Sequence, residues 1–411
     1  MGSLTVANFT VSDLETSLLS ITALNSPAEI EKNRFLWTDW PGSRDSDIDF
    51  FLYIARVRPE VVSPYVLIAD HNGFPDAMLI GRLEKRKASA RFGYFNFRSP
   101  QLRVVNFVYG ALRGNAVPEN VDALFGHVLN SLRDGEVDFA VFEHLEVGSR
   151  LYDLVSTSPG ILERGFSPEH RTHRCLELPE NSEALYKMLS PKNRQVYRGK
   201  GRKIVKDHGG DVHIKCYREV SELDLMFREV EEIASKTYQR GLGFGFKDTP
   251  EMRGRCELAA SKGWLRVFIL YVAGKPTAYW NASAYQGTLW GDHIGFDPAL
   301  SRYSPGMYLS LSVIGDLCDH KENHDIKQIN FGPGDAEYKS ILSNISFEEG
   351  AIQLYGRSLR GLGTKFFFTP VLFADRFAKK ILSKNKLLAK AKRLWRNRAE
   401  SAVAAPPIEP G

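Results

Sequence analysis

Three β-rich runs, joined by turns too short to hold anything else, constrain this chain more than any other feature. Trp264–Val272 meets Pro276–Ala284 across Ala273-Gly274-Lys275, and Thr288–Phe296 follows after Gln286-Gly287. Glycine-bearing loops of two or three residues close antiparallel hairpins, so the runs predict a three-stranded meander. Asp211–Tyr217 reads as a further strand and Leu223–Thr237 as an amphipathic helix. Beyond the meander the expectation is a helix from Pro305, a strand at Lys327–Phe331 and a short helix after Gly334.

The first half follows the same grammar. Pro64–Ala69 and Ala77–Leu83 flank the turn residues Asp70-His71-Asn72-Gly73, a second hairpin signal. Val121, Leu124, Phe125, Val128 and Leu132 then form a helical stripe, and Asp138–Phe142 reads as a strand. A new helix begins near Leu189-Ser190-Pro191. The repeated order points to a duplicated α+β unit, each copy a mixed, mainly antiparallel sheet flanked by helices. The expected division is an extension at 1–25, a first domain at 26–180, a second at 185–356 and a basic tail at 357–411.

Composition removes other classes. Of 411 residues, 43% are hydrophobic and 25% charged, which suits a soluble globular chain and not a disordered one. No apolar run approaches the length of a membrane span, and the N-terminus has no basic stretch before an apolar core, so no secretory signal is expected. Cys175, Cys216, Cys256 and Cys318 stand too far apart for a metal knuckle or a dense disulfide framework. Buried, reduced thiols in a cytoplasmic protein are the expectation. His170 and His173 lack further ligands, so no metal is expected.

The charge is uneven. From Val371 onward ten Lys/Arg face three acidic residues, so the other 370 residues carry a small negative balance within the overall +5. A nucleic-acid partner is therefore not expected for the body of the chain. Phe377, Ile381, Leu388, Ala391 and Trp395 fall on one approximate face among those bases. This is the profile of a basic amphipathic C-terminal helix on an anionic membrane surface, with disorder as the competing reading.

Four stretches carry candidate chemistry. Ser304-Pro305-Gly306 starts a helix with Ser304 as expected N-cap, leaving the N–H groups of Gly306, Met307 and Tyr308 for an anion such as phosphate. Phe331-Gly332-Pro333-Gly334-Asp335 ends a strand and starts a helix, with Asp335 as expected N-cap and Tyr338 and Lys339 on the face above it. In Trp290-Gly291-Asp292-His293, strand alternation puts His293 with Leu289 on one face and Asp292 with Trp290 on the other, and Asp292 or His293 is a candidate general base. Seven basic residues between Lys192 and Lys206 form either a solvated helix face or a binding strip for phosphate or RNA.

The segment from Ser304-Pro305-Gly306 through Gly332-Pro333-Gly334-Asp335-Ala336-Glu337-Tyr338-Lys339 resembles the CelD-like branch of the GNAT acyltransferases, akin to the FemAB aminoacyl transferases. The basic helix before Gly209-Gly210 fits the same resemblance, which covers roughly 185–356 well and 45–180 loosely. It implies two tandem GNAT-like units, the second splayed between its fourth and fifth strands to admit the pantetheine arm of acetyl-CoA or another acyl-CoA. Ser304, Gly306, Met307 and Tyr308 would hold the pyrophosphate. Asp292 or His293 would accept the proton of an amine, Tyr338 would protonate the departing thiolate, and Trp290, Asp335 and Lys339 would contact the acceptor. The resemblance further implies an amine acceptor, such as an amino sugar of cellulose or exopolysaccharide production, while the thiols and the basic tail point to a cytoplasmic protein, peripheral at the inner face of the membrane where the tail docks. It departs at Arg302-Tyr303-Ser304-Pro305-Gly306, which has one glycine where GNAT phosphate loops carry more. An aminoacyl-tRNA-dependent transferase and a non-catalytic accessory module are the alternatives.

Overall fold

The structure is a computed structural model that describes residues 19–383, apart from 93–94, 166–167, 238–239, 241–244 and 335. In the first half, strand β1 (Leu19–Leu24) precedes helices α1 (Pro27–Lys32), α2 (Phe35–Asp39) and α3 (Ile48–Val57). Strands β2 (Val61–His71), β3 (Phe74–Phe92) and β4 (Phe95–Gly114) lead to α4 (Pro118–Arg133), β5 (Phe139–Glu146), α5 (Arg150–Thr157) and β6 (Glu169–Glu177). After α6 (Ser182–Met188) and α7 (Pro191–Asp207) the pattern returns. Strand β7 (Val212–Tyr217) and helices α8 (Leu223–Ala234) and α9 (Pro250–Ser261) precede β8 (Leu265–Val272), β9 (Lys275–Tyr285) and β10 (Thr288–Phe296). Helix α10 (Pro305–Asp319), β11 (Gln328–Pro333), α11 (Glu337–Leu342), β12 (Ile345–Tyr355) and α12 (Leu359–Ser383) complete the chain.

The expected meander is present, and its turns place Ala273-Gly274 and Gln286-Gly287 at positive φ, the geometry of two-residue hairpin loops. The fold is α+β with two tandem units of one design, because each half runs through four strands, a helix and a parallel fifth strand. The twelve strands form one sheet in the order β1-β2-β3-β4-β5-β12-β6-β11-β10-β9-β8-β7. The halves exchange their last strands across the seam: β6 pairs with β11, β12 pairs with β5, and β6 and β12 pair with each other. The boundary near 180–185 thus separates the halves in sequence but not in space.

Three further features go beyond the sequence reading. Residues 19–24, read as part of an extension, form edge strand β1 on β2. Strand β4 carries no hairpin signal in the sequence, because Pro100 and the arginines at 98, 103 and 113 interrupt its apolar alternation. The tail after 357 begins as helix α12 packed on β3, β4 and β12. Of its expected stripe, Phe377 and Ile381 lie in α12 with undescribed side chains, and Leu388, Ala391 and Trp395 lie outside the described residues.

Candidate active site

Each half contains one parallel strand pair that holds together briefly and then parts. β4 and β5 pair from Val104–Phe139 to Phe107–Phe142, and β10 and β11 from Thr288–Gln328 to Trp290–Asn330. A cavity of ≈ 320 Å³ lies at the seam where both pairs end, lined from the first half by Tyr109 and His144 and from the second by Trp290, Asp292 and Asn330.

Beneath it runs a row of polar and aromatic residues, one from each of six consecutive strands: Tyr109, His144, Glu349, His173, Asn330 and Trp290. Tyr109 meets His144 and Trp290 edge-on, with ring centroids at 5.2 and 5.5 Å, and its hydroxyl bonds Asn330. Glu349 is buried between two histidines, its Oε2 3.0 Å from His144 Nδ1 and its Oε1 2.7 Å from His173 Nδ1. The second contact is bent away from hydrogen-bond geometry, so it counts as an ion pair only. Burial raises the Glu349 carboxyl, but His144 and His173 outweigh it and hold its pKa at about 2. Burial likewise opposes charge on His173, but Cys175 and Glu349 prevail and lift its pKa to about 9.

These contacts assign the protons. Asn330 Oδ1 accepts from the Gly332 N–H, so His173 Nε2, 2.8 Å from the same oxygen, donates to it. Either the neutral Nε2–H tautomer or the imidazolium makes that bond, and the pKa raised to about 9 favours the imidazolium near neutral pH. An ionised Glu349 can only accept, so His144 donates through Nδ1 and, when neutral, keeps a lone pair on Nε2. His144 lines the cavity, and its Nε2 has no protein partner among the described residues. A buried carboxylate that fixes the tautomer of a cavity-facing imidazole is the arrangement a general base requires.

The two expected bases fare differently. Strand β10 bulges at Asp292: Gly291 registers with Ala282, and His293 already with Asn281. The extra residue resets the alternation, so His293 leaves the Leu289 face and its ring meets Phe246 edge-on at 6.2 Å. Burial keeps His293 neutral, and its Nδ1 is buried without a hydrogen-bond partner. It does not face the cavity, which corrects its place as a base. Asp292 does face the cavity, but Arg44 clamps both its oxygens at 2.8 and 2.9 Å. Burial would raise the Asp292 carboxyl, yet Arg44 and Arg255 reverse the shift and hold it below its ordinary value, so it is a poor proton acceptor. Arg44 arrives from a loop that crosses the seam, tied by Gly42 N to Gln286 Oε1 and by the Tyr285 hydroxyl to Asp47.

At the other end of β10, Ser304 precedes α10 in left-handed geometry (φ 51°) and makes no cap, contrary to expectation. Its hydroxyl instead accepts from Lys200 of the basic helix α7 at 2.7 Å. The Tyr308 N–H is spent on Ser304 O, so it is not the free donor expected. The N–H groups of Gly306 and Met307 have no intrahelical partner, and Gly306 packs under Phe296. The first turn holds no acidic residue. Elsewhere on α7, Arg194 caps the end of α6, Arg198 pairs with Glu183, and Arg202, Lys203 and Lys206 are exposed.

The strand–helix corner after β11 is less of a site than expected. The cap position of α11 is Ala336, and Asp335 lies outside the described residues. Gly332 and Gly334 both take positive φ, so they serve the backbone path. Lys339 Nζ donates to Pro333 O at 2.8 Å, and burial with Arg174 nearby lowers its pKa: it buttresses the corner. Tyr338 stands edge-on to Phe331 on the α10 side of the sheet. Arg44, Tyr109, His144, Asn330 and Glu349 carry no mark in the sequence, and His173 stands out there only as half of a histidine pair without further ligands. Their only signal is a polar side chain inside a buried strand pattern, and joining Tyr109 to Glu349 requires the topology.

Residues 191–340 match the family model described as an acetyltransferase (GNAT) domain. None of the curated proteins matches the chain. Among solved structures, FemX is similar with a TM-score of 0.53 at 9% identity, over 81% of this chain and 96% of that one, a likeness of fold. A tandem GNAT protein of the clavulanic acid pathway scores 0.46 at 11% identity, covering 83% of this chain and 100% of that one. A C-terminal domain of a putative lysylphosphatidylglycerol synthetase from Agrobacterium fabrum scores 0.45 at 14%, covering 84% and 98%.

Proposed function

We propose that this protein is a GNAT-type N-acyltransferase that moves an acyl group, acetyl being the simplest, from acyl-CoA to an amine in the seam cavity. The observation that carries the reading is the His144–Glu349 pair, facing the point where β10 and β11 part. The match of residues 191–340 to an acetyltransferase domain supports the reaction class. On the donor side, Lys200, the Ser304 hydroxyl and the Met307 N–H fit a pyrophosphate, since they gather a cation and unspent donors at a helix start free of acids. Acyl-CoA supplies the activated thioester carbon when bound.

His144 Nε2 takes the proton from the amine as its nitrogen bonds the acyl carbon, and Glu349 stabilises the imidazolium that results. Asp292, fixed by Arg44, presents a carboxylate that attracts and orients an ammonium group. Past Trp290 the edge of β10 toward β11 is no longer paired, leaving backbone N–H groups to polarise the carbonyl. Tyr338 gives its phenolic proton to sulfur as the C–S bond breaks. The charged, polar lining suits a hydroxylated amine such as an amino sugar better than an apolar one.

Calorimetric titration with acetyl-CoA and with CoA tests the donor. Binding that weakens in Lys200→Glu while the melting temperature holds supports the reading. A wild type that binds no CoA but retains RNA through α7 overturns it in favour of an aminoacyl-tRNA donor.

A further inference from the structure

Helix α12 is apolar on the side that faces away from the protein. Its inward side is anchored: Ser358 Oγ donates to Asp138 at 2.6 Å and accepts from the Gly361 N–H at 3.0 Å. Thr364 and Phe368 are buried, and Phe367 meets Phe97 edge-on at 5.7 Å. At Gly361 the helix runs so close to the sheet that a Cβ would stand 2.3 Å from Gly356 O. The helix is therefore held in one orientation.

Its exposed side reads Leu359, Gly363, Phe366, Pro370 and Phe373, spaced 4, 3, 4 and 3 residues apart, one stripe of an α-helix without a charge in it. Leu359 is 92% exposed, Phe366 64% and Phe373 60%. Beside the stripe, Lys365 Nζ reaches over to the carbonyls of Ile161, Leu162 and Arg164, and brings alongside a loop whose Ile161 is 87% exposed. Single exposed hydrophobics are ordinary, but an aligned set on an anchored helix is an interaction surface.

The charge that follows it indicates the occupant. Ten lysines and arginines lie between Arg376 and Arg398, against Asp375, Glu400 and Glu409. A second copy would bring the same surplus and be repelled. A surface that is apolar at the plane of contact and negative around it complements both features, and an anionic bilayer is that surface. No helix among the described residues is long and apolar enough to cross a membrane, so α12 would lie in the interface and not span it.

We propose that the outward face of α12, with the Ile161 loop, docks this protein on anionic lipid. The stripe would sit at the acyl boundary and the following bases among the headgroups, which leaves the seam cavity and its chemistry on the folded body. The proposal does not depend on the acyl-transfer reading.

Flotation of the full chain with vesicles tests it, comparing pure phosphatidylcholine with a mixture holding about three parts in ten phosphatidylglycerol. The expected result is at least about tenfold more protein on the mixed vesicles, reduced toward the phosphatidylcholine level by high salt. Phe366→Asp is expected to remove most of that binding with an unchanged melting temperature, because its side chain is largely outside the core. Ser346→Asp, an exposed strand substitution outside the helix, serves as the added-charge control and is expected to bind as wild type. Failure of the wild type to float with either vesicle overturns the proposal. So does undiminished binding by Phe366→Asp, which would hand the interaction to the tail alone. A wild-type dimer that Phe366→Asp converts to monomer, without vesicle binding, overturns it in favour of self-association.

Discussion

The two places where parallel strands part share one topology and have opposite contents. In the first half the last pair is Phe107 and Phe142, stacked at 4.2 Å, with Phe125 of α4 edge-on at 6.3 Å. In the second half the last pair is Trp290 and Asn330, both on the wall of a cavity that the first pair meets through Phe107 alone. The aromatic stack closes the first cleft, whereas the second pair stands open to the cavity, the place proposed above for the ligand. A duplicated fold can thus give one copy to donor binding and use the other as a scaffold that carries Tyr109 and His144 to the seam. The comparison predicts that catalysis depends on a first-half histidine and stability on first-half aromatics.

The sharpest way to break it is to remove the histidines in turn. His144→Ala is expected to lower kcat for acyl transfer ~10²–10⁴-fold while CoA affinity stays at the wild-type level. His293→Ala, in the half proposed to bind the donor, is expected to leave kcat near wild type, since its ring meets Phe246 and not the cavity. Steady-state rates with acetyl-CoA and a panel of amines read both. The reverse ranking would return the base to the second half.

Stability separates the clefts next. Phe142→Ala empties a packed site and is expected to cost ~3–5 kcal/mol in urea unfolding. Trp290→Ala opens an existing cavity and is expected to cost less than half as much. Equal losses would mean that the second cleft is as much core as the first.

The seam itself predicts a pH dependence. Glu349, depressed to about 2, stabilises the fold above the ordinary carboxyl value of ~4.5, and that contribution fades as pH falls through about 2. His173, raised to about 9, stabilises below the ordinary imidazole value of ~6.5, and that contribution fades as pH rises through about 9. Melting temperature should therefore plateau between ~4.5 and ~6.5 and decline toward about 2 on one side and about 9 on the other. In Glu349→Gln both slopes should flatten.

How much of this the sequence disclosed depended on the range of the interactions. Local order was legible: strand Thr288–Phe296 was read to the residue, and the helix start at Pro305 likewise. These depend on alternation, turn residues and proline, which act over a few positions. The bulge at Asp292 was not legible, because one extra residue changes no composition yet turns His293 to the other face. Nor was the exchange of β6 and β12 across the seam, since either strand satisfies its pattern beside any apolar neighbour. The Glu349 site therefore went unseen. A glutamate and two histidines in three strands look like surface residues until topology sets those strands side by side.

The smallest effect tests whether the two helix starts differ as the clefts do. Helix α10 begins with no acidic residue in its first turn and with Lys200 held at Ser304, so it presents positive charge to a donor. Helix α4, its counterpart, begins after Val117 without a side-chain cap and carries Glu119 in its first turn, which neutralises the positive end of the helix. Lys200→Glu gives α10 the acidic start of α4 and is expected to weaken CoA about tenfold, within the range that a charge reversal at a partly exposed helix start produces. Glu119→Lys gives α4 the basic start of α10, yet it is expected to create no second CoA site, because Phe107 and Phe142 still fill the cleft behind it. A stoichiometry of one in both variants would show that the contents of the cleft, and not the charge at its helix, decide which half takes the donor. A second site in Glu119→Lys would reverse that order of importance.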